Sequence, residues 1–275
     1  MKSSAFATLG LTAAVVLTAG LTIPNALGQR GAAPQRPPAA ARPASGYTGP
    51  RTPDGKPDLN GIWQVLSTAH WNLEAHSASE GVPAGLSVVE GGGIPYQPWA
   101  LAKRNENFAN RMTADPLRKC YLPGVPRATY LPFPFEITQT PTHIGIAYEF
   151  AHATRTIFLD GTPHMDDLDF WMGDARGRWE GDTLVVDTVS LGDRTWFDQA
   201  GNFHSDALKV VERFTPTDLT HVAYEATIED SKVFTRPWKI NLIMYRRLER
   251  NLELLEYECA EHVYQKLFKE RAGKP

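Results

Sequence analysis

Cysteine is scarce in this chain: Cys120 and Cys259 are the only two. A structural zinc site asks for four nitrogen or sulfur ligands at short spacing, and neither a C-x-x-C nor an H-x-x-x-H pair occurs, so a metal centre is not expected. The Gly-x-Ser-x-Gly elbow of the serine hydrolases is missing. So is a strand, Gly-x-Gly-x-x-Gly and helix succession for a dinucleotide. Gly91-Gly92-Gly93 lacks the following Lys-Ser/Thr and helix that a phosphate loop requires. There is no excess of basic charge: the formal net charge is -3, which excludes the electrostatic footprint of a nucleic-acid binder. After the first two dozen residues, no apolar run approaches the roughly 20 residues of a membrane-spanning helix.

What is present begins with Lys2, an apolar stretch from Ala5 to Leu21, and the small-residue exit Ala26-Leu27-Gly28. This order reads as a secretory signal peptide over 1–28, with a retained membrane anchor as the alternative. Residues 29–56 are rich in Pro, Ala, Arg and Gly and read as a flexible leader, because such a composition cannot bury enough apolar surface to offset its ordering entropy. Residues 57–275 are long enough for one domain with a core. Export to the periplasm or the medium permits a Cys120–Cys259 disulfide, the alternative being two buried free thiols.

The domain reads as all-β. Strand signals run over Asp58–Leu66, Phe135–Gln139, His143–Phe150, Thr154–Leu159, Arg178–Glu180, Thr183–Val189, Leu208–Phe214, His221–Glu229, Trp238–Arg247 and Leu252–Cys259. Short strands separated by turn clusters, without intervening helices, predict an antiparallel barrel of about eight to ten strands. Pro98–Phe108 is a helix, with proline where the first turn tolerates it. A short helix is expected over Tyr264–Glu270. Thr68–Gln97 is a long excursion of the kind used for lids and binding loops.

Two resemblances accompany this reading. Gly61-Ile62-Trp63 on the first strand, with Arg246-Arg247 on a late one, resembles the lipocalin-like (calycin) pattern, in which that tryptophan packs under the arginine. The excursion from Thr68 to Pro134 departs from that pattern. The strings Lys119–Arg127, Trp179–Asp187 and His204–Leu208 are similar to a large family of uncharacterised secreted bacterial proteins. That resemblance implies export and a shared fold, and carries no activity or catalytic residue.

Chemistry is sought where acids and histidines interrupt apolar alternation. Leu208, Val210, Glu212 and Phe214 share one strand face, so Glu212 points to the core. There it is either a general acid or base, or the partner of Arg155, Arg246 or Arg247. His204, in the segment Leu191–Asp206 with Asp193 and Asp198, is a second proton-transfer candidate, unless that segment is turn chemistry alone. His152 and Arg155 sit at a tight strand connection, where Arg155 would stabilise developing negative charge or else form half of an ion pair. Tyr148, Asp187, Trp196 and Trp238 are candidate ligand-lining residues. His164-Met165-Asp166-Asp167 is acid-rich but lacks a second histidine at ligand spacing. The leading expectation is a cofactor-free, metal-free barrel that binds a small amphipathic molecule and performs lyase or isomerase chemistry through His152, Arg155, His204 and Glu212. The alternatives are a non-catalytic lipocalin-like carrier and a cell-envelope accessory protein.

Overall fold

Period-two alternation governs the strands that form. Buried and half-buried residues alternate through Lys209–Pro216 and His221–Glu229, so one face of each strand builds the core. The computed structural model describes residues 46–165 and 167–259. The expected signal peptide and the expected helix Tyr264–Glu270 lie outside them.

Nine strands close into a barrel in sequence order: β1 (Gly61–Val65), β2 (Phe135–Gln139), β3 (His143–Tyr148), β4 (Thr154–Phe158), β5 (Asp174–Glu180), β6 (Thr183–Val189), β7 (Lys209–Pro216), β8 (His221–Glu229) and β9 (Trp238–Arg246). Neighbours are antiparallel throughout except β4 and β5, which run parallel. Parity demands this. Strand direction must return to itself around a closed ring, and a ring with an odd number of strands cannot do so through antiparallel joints alone. A parallel joint needs a long crossover, which residues 159–173 supply.

Leu252–Cys259, expected as a further strand, is not one. Since β9 already pairs with both β8 and β1, the barrel has no edge left to receive it. The segment makes one isolated bridge, between Phe150 and Tyr257, and Cys259 is disulfide-bonded to Cys120 with a Cα–Cα distance of 5.3 Å. The β5 strand begins four residues before its expected start, because Asp174–Gly177 pair with β6 although they lack an apolar run.

On β1 the Arg246 guanidinium lies 4.3 Å from the Trp63 ring centroid, the packing that the Gly-x-Trp resemblance implies. Gly61 has φ of +118°, and a Cβ there would come 3.0 Å from Arg246 Nη1, so a side chain would lift the arginine off the ring. Residues 47–56, at the end of the assigned leader, lie against the β5–β6 turn: Arg51 pairs with Asp182 at 2.8 Å.

The excursion between β1 and β2 carries the helices α1 (Pro98–Ala109), α2 (Arg111–Ala114) and α3 (Arg127–Tyr130), with a 3-10 turn at Pro116–Lys119. Every residue of α3 is buried. Among the described residues, no helix is long and apolar enough to cross a membrane.

Candidate functional site

Glu212 faces the barrel interior, as its place between Val210 and Phe214 predicts. What it meets there is an arginine. Arg155 Nη2 donates to Glu212 Oε2 and, at 2.6 Å, to Thr188 Oγ1, while Tyr224 donates to Glu212 Oε1 at 2.9 Å. The four groups come from β4, β6, β7 and β8. Tyr224 lies diagonally across from Glu212, since its register partner is Phe214.

Arg155 reaches its partners because β5 is small where it must be crossed. Ala175 and Gly177 stand opposite Thr188 and Val186 in the β5–β6 register, so they share the inward face. A Cβ on Gly177 would come 2.7 Å from Ile157 and 2.6 Å from Leu159, so only glycine leaves the space.

Burial opposes the Arg155 charge, but the adjacent Glu212 carboxylate raises its pKa above the ordinary arginine value. Burial also raises the Tyr224 hydroxyl, and the neighbouring Glu212 charge raises it further. This set holds a proton and a charge in fixed places. Both Glu212 oxygens are engaged within it.

The donors are not all used. Arg155 Nε and Nη1 and the Tyr148 hydroxyl are buried and make no well-formed hydrogen bond in the protein, although the Tyr148 hydroxyl lies within weak hydrogen-bonding reach of the Arg155 and Thr129 side chains. Tyr148 faces the guanidinium, whose charge lowers the phenol pKa against the larger upward effect of burial. Among the described residues, Arg155 and Tyr148 are two candidates that come together in the barrel interior with hydrogen-bonding capacity to spare.

The other candidates lie elsewhere. His204 is buried in the connection between β6 and β7: its Nδ1 lies 2.9 Å from the Ser205 carbonyl oxygen and its Nε2 lies 2.7 Å from Thr195 Oγ1. A carbonyl only accepts, so Nδ1 carries the proton and Nε2 accepts from the Thr195 hydroxyl. Burial lowers the His204 pKa, keeping the ring neutral with both nitrogens occupied. Its neighbours are Phe197, at 5.1 Å between ring centroids, and Thr195, rather than Glu212. His204 and Glu212 therefore have separate hydrogen-bond partners.

His152 occupies the β3–β4 turn with Ala151, both at positive φ, and its exposed ring pairs with Glu258 at 3.0 Å. Asp187 points outward from β6, where His164 joins it at 3.5 Å and joins Asp174 at 2.9 Å. Trp238 packs edge-on against Phe197 and Phe234. Trp196 forms an isolated bridge with Phe203.

A second buried polar group escaped sequence reasoning. Arg127 on α3 makes a two-pronged pair with Asp115, at 2.9 and 2.8 Å, and both are buried. His70 lies near them; burial, and then the Arg127 charge, pull its pKa down to about 3. Asp198 accepts from Leu73 N–H at 2.9 Å and from both the backbone and the amide of Asn202. Burial nevertheless pushes its pKa up to about 6. This cluster fastens the excursion to the β6–β7 connection. Its members are far apart in sequence and lie in segments without periodicity, so the only signal is an arginine inside the otherwise apolar string Val125–Leu131. In comparisons with family models and with curated proteins, the chain matches none.

Proposed function

We propose that this chain is an exported barrel that binds one small, uncharged, carbonyl- or hydroxyl-bearing molecule with an apolar body, acting as a carrier. The observation that carries the reading is the set of buried donors without well-formed hydrogen bonds, Arg155 Nε and Nη1 and the Tyr148 hydroxyl. Charge balance selects the ligand class. Glu212 already neutralises Arg155, so a carboxylate entering the same interior would bring an uncompensated charge, whereas a neutral oxygen acceptor satisfies the donors at no such cost. The flanking core residues Phe135, Ile146 and Phe214 are suited to an apolar body. Export is supported by the N-terminal sequence and by the Cys120–Cys259 disulfide. The carrier reading is favoured over lyase or isomerase chemistry because His152, His204 and Glu212 lie in separate surroundings with separate partners.

Tyr148→Phe tests this directly, since it removes a hydroxyl whose protein contacts, to Arg155 and Thr129, are weak, and preserves the ring. A panel of apolar ketones, esters and alcohols, with matched carboxylates, would be screened by thermal shift and native mass spectrometry. Neutral acceptors should bind and carboxylates should not, and Tyr148→Phe should weaken binding by up to about tenfold, the worth of one hydrogen bond. Preferential binding of carboxylates, or equal affinity in Tyr148→Phe, refutes the assignment.

A further inference from the structure

The helix α1 is docked the wrong way round for a surface helix. A typical one buries its apolar stripe. Here the buried residues are Ala100 and Asn107, with Arg104 half-buried between them and bonded to Asn202. The apolar side chains face out: Leu101 is 49%, Phe108 41% and Met112, on α2, 50% exposed. At helical spacing Leu101 and Phe108 lie two turns apart on one side. Trp99, 52% exposed, stands at the helix start.

Positive charge outnumbers negative in the sequence around this stripe. Lys103, Arg104, Arg111, Arg118 and Lys119 fall between Pro98 and Cys120, against only Glu106 and Asp115. Asp115 is buried on Arg127, Glu106 is paired with Lys103 at 3.1 Å, and Arg104 is paired with Glu74 at 3.7 Å, which leaves Arg111 and the exposed Lys119 as the cations of the patch. Arg111 lies over the Phe108 ring at 4.2 Å, so cation and apolar surface are presented together. This patch sits on a chain whose formal net charge is -3.

We propose that the outer face of α1 and α2 rests on an anionic lipid surface, with Leu101, Phe108 and Met112 entering the headgroup boundary and Arg111 and Lys119 meeting the lipid phosphates. Exposed aromatic and aliphatic side chains flanked by Lys and Arg are what an interfacial helix uses. A second copy of the chain is a poorer occupant, because a two-fold contact would set this basic patch against itself. The proposal is independent of the barrel ligand.

Vesicle sedimentation of the full chain tests it, with phosphatidylglycerol-containing vesicles against pure phosphatidylcholine. The protein should sediment with the anionic vesicles and be released by salt. Leu101→Gln/Phe108→Gln, changes at exposed positions that leave circular dichroism and thermal stability intact, should lower binding by about tenfold or more. Lys119→Gln should lower it by about fivefold. Absence of sedimentation, equal binding to both vesicle types, or unchanged binding of the double variant overturns the proposal. So does concentration-dependent dimerisation in light scattering that the double variant abolishes, because the face would then belong to a second copy.

Discussion

Replacing Glu212 by glutamine should cost this protein far more than the loss of one hydrogen bond. The substitution preserves shape, and Tyr224 can still donate to the amide oxygen. What disappears is the charge that balances Arg155, whose side chain is 1% exposed. Removing one partner of a buried ion pair strands the other, at about 3–5 kcal/mol. Arg155→Met should cost a similar amount, since it strands the carboxylate and frees the Thr188 hydroxyl. The double variant Arg155→Met/Glu212→Leu behaves differently. Losing both buried charges is neutral or favourable by about 1–4 kcal/mol. The Tyr224 hydroxyl is then left without its acceptor, which costs about 1–3 kcal/mol. The double variant should therefore lie within about 3 kcal/mol of the parent, at or above the stability of either single variant. Urea unfolding of all four proteins measures this, with stability read from the midpoint at constant slope. A Glu212→Gln loss below about 1 kcal/mol, or a double variant that loses the sum of the two singles, would refute the argument that these charges depend on each other.

Acid should act on this fold through His70 and Asp198 with opposite signs. His70, held near pKa 3 against an ordinary 6.5, stays neutral in the fold while the unfolded chain takes up a proton, so its contribution is present at neutral pH and lost as pH falls from about 6.5 towards 3. Asp198, raised from 3.8 to about 6, binds its proton more tightly in the fold, so its contribution grows as pH falls through that window, by about 3 kcal/mol in total. Between pH 4 and 6 the two offset each other, and Asp198→Asn should make stability fall more steeply there; a parallel pH profile in that variant rules out the offset. In the β3–β4 turn, Ala151 and His152 have φ of +53° and +49°, an arrangement suited to Asn-Gly. Ala151→Asn/His152→Gly should stabilise the protein by about 1–2 kcal/mol, read as a rise in Tm, and an unchanged Tm would show that the turn carries no such cost. Reducing Cys120–Cys259, which are 139 residues apart, should lower stability by up to about 5 kcal/mol in the chain-entropy model; denaturation with and without reductant measures the difference, and coincident curves would contradict it.

Strand content was legible because the barrel interior imposes period two. The bounds of β2, β6 and β8 coincide with the expected ones, and the inward position of Glu212 follows from Val210 and Phe214 alone. Its partner was legible only as a choice among three arginines, since the sequence carries no register. The register that picks Arg155 depends on the parallel β4–β5 joint, an uncommon feature in a meander of short strands. His204 looked chemical because a histidine beside acids is chemical in many sites; burial and two filled hydrogen bonds make it structural. Asp198 looked like turn chemistry and is instead an anchor for Leu73, 125 residues away, a contact that no local pattern announces.

The interior ion pair and the odd strand number are linked. An odd ring must contain a parallel joint, and the one here is short: only Ile157↔Ala175 and Phe158↔Arg176 are in register between β4 and β5, against seven registered pairs between β5 and β6. The ladder is therefore thinnest where β4 meets β5. Arg155, two residues before that joint, reaches over the small residues of β5 to Thr188 on β6 and Glu212 on β7, so it ties β4 to the far side of its weakest neighbour. A hydrophobic residue at 155 could fill the same space but could not bind strands two and three places away. The guanidinium that closes this seam is the same one whose remaining donors stand beside Tyr148. Barrel closure thus fixes Arg155 from one side, and in the proposed carrier its other side would meet an acceptor without further ordering cost.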